Sequence, residues 1–122
     1  MRLLALATVS AAGKPVVGPV DGIFLHGEFH FGSSPDSVRA RHIARRPAVS
    51  ATHLPGEHLA VTVHGRAVPV DVNAPAGAEL REALLEIYVP RYGEEWAEML
   101  ESGAIYWRID AERIFAFQMP AA

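Results

Sequence analysis

The chain of 122 residues carries 11 Lys and Arg against 14 Asp and Glu, a formal charge of −3, and half of its residues are apolar. This length bounds it to one domain, and the acidic balance excludes a general attraction to nucleic acid or anionic membrane. The absence of cysteine removes disulfides, thiolate zinc sites and cysteine nucleophiles together. No apolar run approaches the roughly 20 residues needed to span a bilayer as a helix. A domain this small buries only about two-thirds of its unfolded surface. So high an apolar share therefore points to a subunit interface or a cofactor cleft.

In chain order, Leu3 to Ser10 reads as a strand leading into a turn at Gly13. The same stretch imitates a short signal peptide. The shortness of its apolar run, and the way Val16 to Leu25 pairs with it as a hairpin, favour the strand. That second strand is expected to be interrupted near Gly18-Pro19 and Asp21-Gly22, with Asp21 shaping a turn. His26-Gly27-Glu28 turns into Phe29-His30-Phe31, whose alternation puts both phenylalanines on one face. A helix then follows Ser33-Ser34-Pro35-Asp36-Ser37, with Ser34 as the N-cap and Pro35 in the first helical position, and it ends before Pro47.

Pro47 to Leu54 and Leu59 to Val72 read as further strands around a turn at Leu54-Pro55-Gly56-Glu57. Gly65 marks a bulge where the second of them bends. Ala78 to Tyr88 has helical spacing, Gly93 to Ser102 suits a short helix, and Ile105 to Met119 is a final strand or strand pair. Pro90 and Gly93 interrupt any helix that would carry Tyr88, Tyr92 and Trp96 together, so these aromatics read as packing. Many short strands with few helices argue for a mainly β protein, a small barrel.

Chemistry concentrates between Phe29 and Pro47. Ser33, Ser34 and Ser37 crowd hydroxyls around a helix N-terminus, where unpaired N–H groups and the helix dipole favour an anion. Arg39 stands in the next turn and can offer a fork of charged donors to a phosphate. A capped helix with a solvated basic face explains the same residues, and Asp36 opposes an anion. Arg39, His42 and Arg46 share one side of this helix, with Arg41 and Arg45 roughly opposite, so one phosphate cannot engage all four arginines. The six histidines show no metal-binding spacing such as H-E-x-x-H, and no catalytic side chain stands out.

The ordered set of Gly13-Lys14-Pro15, the Ser-rich turn, Ser37-Val38-Arg39, Ile43 to Pro47, Val63 to Ala67, Tyr92 to Trp96 and Ile109 to Phe117 resembles the pyridoxamine-phosphate-oxidase-like family of FMN-binding split β-barrels. The resemblance runs from about Leu6 to Phe117. It implies a cytoplasmic homodimer holding FMN or the deazaflavin F420 between its subunits. By the same resemblance, Ser33, Ser34, Ser37 and Arg39 hold the cofactor phosphate, with Arg41 a further candidate. The expected activity is that of a flavin- or deazaflavin-dependent oxidoreductase acting on a small molecule. The alternatives are a non-catalytic dimer that sequesters a flavin, haem or other planar ligand, and a barrel without cofactor. True pyridoxamine phosphate oxidases carry an Arg where Val17 stands, a Gln where Ala60 stands, and a C-terminal RLHDR motif that is absent. Vitamin B6 oxidation is therefore not expected, and the Arg39 to Ile43 and Tyr92 to Trp96 stretches look closer to the F420-using and uncharacterised bacterial branches.

Overall fold

The computed structural model describes residues 2–120. Six antiparallel strands close a barrel: β1 (Arg2–Val9), β2 (Pro15–Leu25), β3 (Glu28–Ser33), β4 (Ala48–Gly56), β5 (Leu59–Val70) and β6 (Ile105–Gln118), in the order β1-β2-β3-β6-β5-β4. Helix α1 (Val38–Arg45) joins β3 to β4. A 3₁₀ turn, α2 (Ala78–Tyr92) and α3 (Trp96–Met99) join β5 to β6. The segment that imitates a leader is thus β1, paired on both edges, with β2 and with β4.

Strand alternation sorts the residues. Leu4, Leu6, Val20, Phe29, Phe31, Val63, Trp107 and Ile109 fill the barrel, and α1 adds Ala40 and Ile43 to the same cluster. Phe31 and Trp107 stack there at 5.2 Å. The predicted shared face of Phe29 and Phe31 is this interior.

The outer surface divides into two regions. On one, α2 sets Leu80, Leu84 and Tyr88, at helical i, i+4, i+8 spacing, into a second cluster with Val72, Leu100 and Tyr106, joined by Ile23, Leu25 and Val70. Among the described residues, no element lies over the other region. Two rows cross five strands there, Val17–Ala7–Ser50–His64–Arg113 and Pro19–Ala5–Thr52–Thr62–Phe115, each step a cross-strand partner. Leu3, Val17, Phe115 and Phe117 are all exposed on this open side. No helix among the described residues is long and apolar enough to cross a membrane.

Four local expectations are corrected. β2 runs unbroken from Pro15 to Leu25, so Asp21 is a strand residue and not a turn residue. β4 continues through Pro55 to Gly56, which moves its turn to Glu57-His58. Helix α1 begins three residues later than expected: Ser37 is its N-cap, accepting from the Ala40 N–H, while the Ser37 N–H closes a turn on the Ser34 carbonyl. Helix α2 continues through Pro90 to Tyr92. A proline costs a helix one N–H bond, and here the loss falls in the last, exposed turn, which Gly93 then ends at φ 88° by donating to the Val89 carbonyl.

The bulge at Gly65 is present. His64 pairs with Arg113 but Gly65 pairs with Ala111, leaving Glu112 as the extra residue.

Candidate functional site

Ser33 ends β3, and its hydroxyl donates to Ser37 Oγ at 2.8 Å. Ser37 Oγ also accepts from the Ala40 N–H at 3.0 Å. A hydroxyl has two acceptor positions and one proton, so Ser37 has filled both positions and keeps its own O–H to donate. Ser34 lies apart: it is exposed, and its Oγ accepts from the Asp36 N–H at 3.4 Å. Asp36 precedes the N-cap rather than occupying the first turn, and it too is exposed.

The basic side of α1 faces the β1–β2 hairpin. Arg39 Nη2 donates to the Pro19 carbonyl at 3.1 Å, His42 Nδ1 meets Thr8 Oγ1 at 2.9 Å, and Arg46 Nη2 reaches the Ala11 carbonyl at 3.5 Å. The expected grouping of these three residues is what the structure shows. Arg41 and Arg45 are exposed, and Arg41 stands about 200° around the helix from Arg39. Arg39 is only half-exposed, and burial draws its guanidinium below the ordinary arginine value, although an arginine stays charged. Space for it comes from Gly18, where an added Cβ would sit 3.2 Å from Arg39 Nη2. Among the described residues, Arg39 uses one of its five N–H donors, toward the Pro19 carbonyl.

Gly18 and Pro19 also belong to a groove of about 350 Å³ on the open side, with Leu3, Ala5, Val17, Thr52 and Leu54. An apolar trough and a cation at its edge thus share two backbone residues.

A second cavity, of about 290 Å³, lies between the barrel and α2–α3. Its walls include Asp21 and His30 from the barrel and Tyr88, Tyr92 and Trp96 from the helices. These three aromatics do pack, Tyr88 stacking on Trp96 at 4.6 Å and on Tyr92 at 6.1 Å, but they also wall a cavity. Tyr88 Oη donates to Asp21 Oδ2 at 3.3 Å. Its hydroxyl is pushed up to about 12, by burial first and then by Asp21, and burial also raises Tyr106. Both phenols are neutral in ordinary buffers. Among the described residues no group of three or more His, Asp or Glu is arranged to hold a metal ion.

His30 is 7% exposed, and its Nδ1 lies 3.1 Å from the Glu28 carbonyl, which can only accept. Burial lowers its pKa, outweighing the opposing effects of Glu28 and of the Ile23 backbone, while Arg108 lowers it further. The unfolded chain therefore protonates this ring at higher pH than the native one. The stability the neutral ring contributes is complete above about pH 6.5 and is lost as pH falls from there through the native value. Urea denaturation at about pH 7.5 and 5.5 should show this loss, and His30→Gln should make the difference smaller. An unchanged difference would place the acid sensitivity elsewhere.

The family model described as pyridoxamine 5'-phosphate oxidase matches residues 1–117. Among curated proteins no sequence matches the chain. Among solved structures, the conserved hypothetical protein Rv2991 from Mycobacterium tuberculosis is 23% identical with a TM-score of 0.76, over all of this chain and 83% of that one. HutZ, the heme storage protein from Vibrio cholerae, is 21% identical with a TM-score of 0.76, over 96% of this chain and 85% of its own. A FAD-binding protein from Mesorhizobium loti is 19% identical with a TM-score of 0.72, over 98% and 88%. Identities this low speak for the fold, which all three share with this barrel. The family match spans every strand from β1 into β6, and the chain belongs to the pyridoxamine 5'-phosphate oxidase family.

Proposed function

We propose that the protein is a cytoplasmic homodimer that binds a phosphorylated flavin or deazaflavin, FMN or F420, between its subunits and uses it to oxidise or reduce a small molecule. The observation that carries this reading is the meeting of Arg39 and the open-side groove at Gly18-Pro19. The donor set fits an anionic tail: a permanent cation with unused N–H groups, and a Ser37 hydroxyl whose acceptor positions are filled and whose proton is left to donate. The cofactor, when bound, supplies the hydride or electron chemistry of its ring. The protein's own share is to orient and to exclude water. Arg39 and Ser37 hold the phosphate, Ser33 fixes the Ser37 hydroxyl, and Val17, Leu3 and Leu54 offer an apolar bed. Ser34 and Arg41 have no part in this reading. With Val17 on β2 and Ala60 on β5, neither position can supply the polar contacts of a vitamin B6 oxidase, and the substrate is read as another compound.

The open side is the surface on which the proposed second subunit would dock. A permanent interface buries on the order of 2,000 Å² or more, and the exposed Leu3, Val17, Phe115 and Phe117 give this side an apolar component suited to it, beside the polar Ser50, Thr52, Thr62, His64 and Arg113 of the two rows. Light scattering should give twice the chain mass at micromolar concentration. Phe115→Asp, on a residue 46% exposed here, should give a folded monomer, because an unpaired carboxylate resists desolvation. A wild-type monomer would contradict the interface.

His64, on the same open side with its ring 5.5 Å from Phe115, supports a second reading, also suggested by the likeness to the heme storage protein HutZ: sequestration of haem or another planar ligand without catalysis. Titration with FMN, F420 and hemin, read by absorbance and fluorescence, separates the two. Saturable binding of FMN or F420 in preference to hemin supports the flavin reading, and a Soret shift with hemin alone supports the other.

A further inference from the structure

The cavity between the barrel and α2–α3 has a charge character opposite to that of the Arg39 site. None of its lining residues is Arg or Lys, and its one carboxylate is Asp21. Asp21 sits on the outer face of β2, where Tyr88 donates to Oδ2 and steadies the group. His30 bonds to the Glu28 carbonyl through Nδ1, which places a proton there, and the ring also meets the Ile23 backbone. Burial keeps this imidazole neutral, so it does not cancel the charge of Asp21. The aromatic wall adds electron-rich rings: Tyr88 stacks on both Tyr92 and Trp96, and all three line the cavity. Gly32 keeps the floor low, since a Cβ there would come within 2.7 Å of Cδ1 of the Tyr106 ring.

Carboxylate acceptors, one negative charge and aromatic rings select a ligand that brings donors and positive charge. At about 290 Å³ the cavity lies at the lower end of the roughly 300–1,000 Å³ range of small-molecule sites, so the ligand is small. We infer that this cavity is a binding site for a protonated amine carried on a single aromatic ring, its ammonium held by Asp21 and its ring against Tyr92 and Trp96. Phosphorylated and carboxylated compounds are rejected, because the cavity holds no cation to meet them. This assignment is independent of the flavin, which is placed at Arg39.

Phenethylamine is the probe, with phenethyl alcohol and phenylacetate as the neutral and anionic isosteres. Trp96 lies in the cavity wall and Trp107 in the barrel core, so fluorescence reports on the site against an internal reference. The amine should saturate the protein below about 10 mM and bind roughly tenfold more tightly than the alcohol, while the carboxylate should not saturate. Asp21→Asn keeps an acceptor for the Tyr88 hydroxyl and should reduce the amine to the affinity of the alcohol, a loss of about tenfold or more. Leu84→Trp, which fills the cavity from α2, should abolish binding of both, with circular dichroism confirming the fold of each variant. Equal binding of amine and carboxylate, an unaffected Asp21→Asn, undiminished binding in folded Leu84→Trp, or no saturation by the amine would each overturn the assignment.

Discussion

Gly65→Ala is expected to destabilise the protein by about 3 kcal/mol, at the upper end of the range for overpacking. An added Cβ would lie 2.9 Å from the Asp110 carbonyl carbon, closer still to its oxygen, and 3.0 Å from Ala111 Cα. All of these are backbone atoms of the facing strand, which cannot swing aside as a flexible side chain can. The clash falls where β5 and β6 change register around Glu112. Relief would require moving the long strand pair that holds Trp107 and Ile109 in the core and carries Phe115 onto the open side. Thermal denaturation should place the midpoint roughly 10 °C below wild type. Gly13→Ala makes a useful contrast: its Cβ would meet nothing within 4 Å, but its φ of 82° strains any side chain. Its cost should be nearer 1 kcal/mol. Equal costs at the two glycines would mean that the barrel accommodates the bulge without steric closure.

The second large effect concerns Arg39. If Arg39 holds the cofactor phosphate as proposed, Arg39→Ala removes a charge-assisted contact worth roughly 1.5–3 kcal/mol, or about 10- to 150-fold in affinity for FMN or F420. Arg39→Lys should recover only part of it, because an ammonium keeps the charge and loses the fork. Arg45→Ala is the matched control, taking the same charge from the same helix at an exposed position in its last turn. It should cost less than about threefold, and that small loss should fade with salt. Equal losses at the two positions would reduce α1 to a scaffold with a basic surface.

The parts of the structure legible in the sequence are those carried by local rules. Alternation put Phe29 and Phe31 on one face, a glycine in an alternating strand marked the bulge, and helical spacing grouped Arg39, His42 and Arg46 on one side of α1. The start of α1 was not legible, because Ser33, Ser34 and Ser37 are all competent caps and Pro35 suits both a first helical turn and the tight turn it occupies. The passage of α2 through Pro90 depends on where the lost bond falls, which propensity alone does not tell. The amine cavity was hidden for another reason. Asp21, His30, Tyr88 and Trp96 come from four elements and meet only in the folded chain, where α2 and α3 lie between β5 and β6 and β6 pairs with β3. Alternation with buried Val20 does turn Asp21 outward, the one signal that strand periodicity could have supplied.

The proposed role of the α1 N-terminus is to recognise a cofactor through its phosphate. FMN and riboflavin differ by that phosphate alone, so their affinities for the wild-type protein and for Arg39→Ala form a cycle that isolates the contact. In the wild type FMN should bind about tenfold or more tightly than riboflavin. In Arg39→Ala the gap should close by most of that factor, through loss of FMN affinity while riboflavin changes little. A phosphate preference of the same size in both proteins, or none in the wild type, would contradict the account.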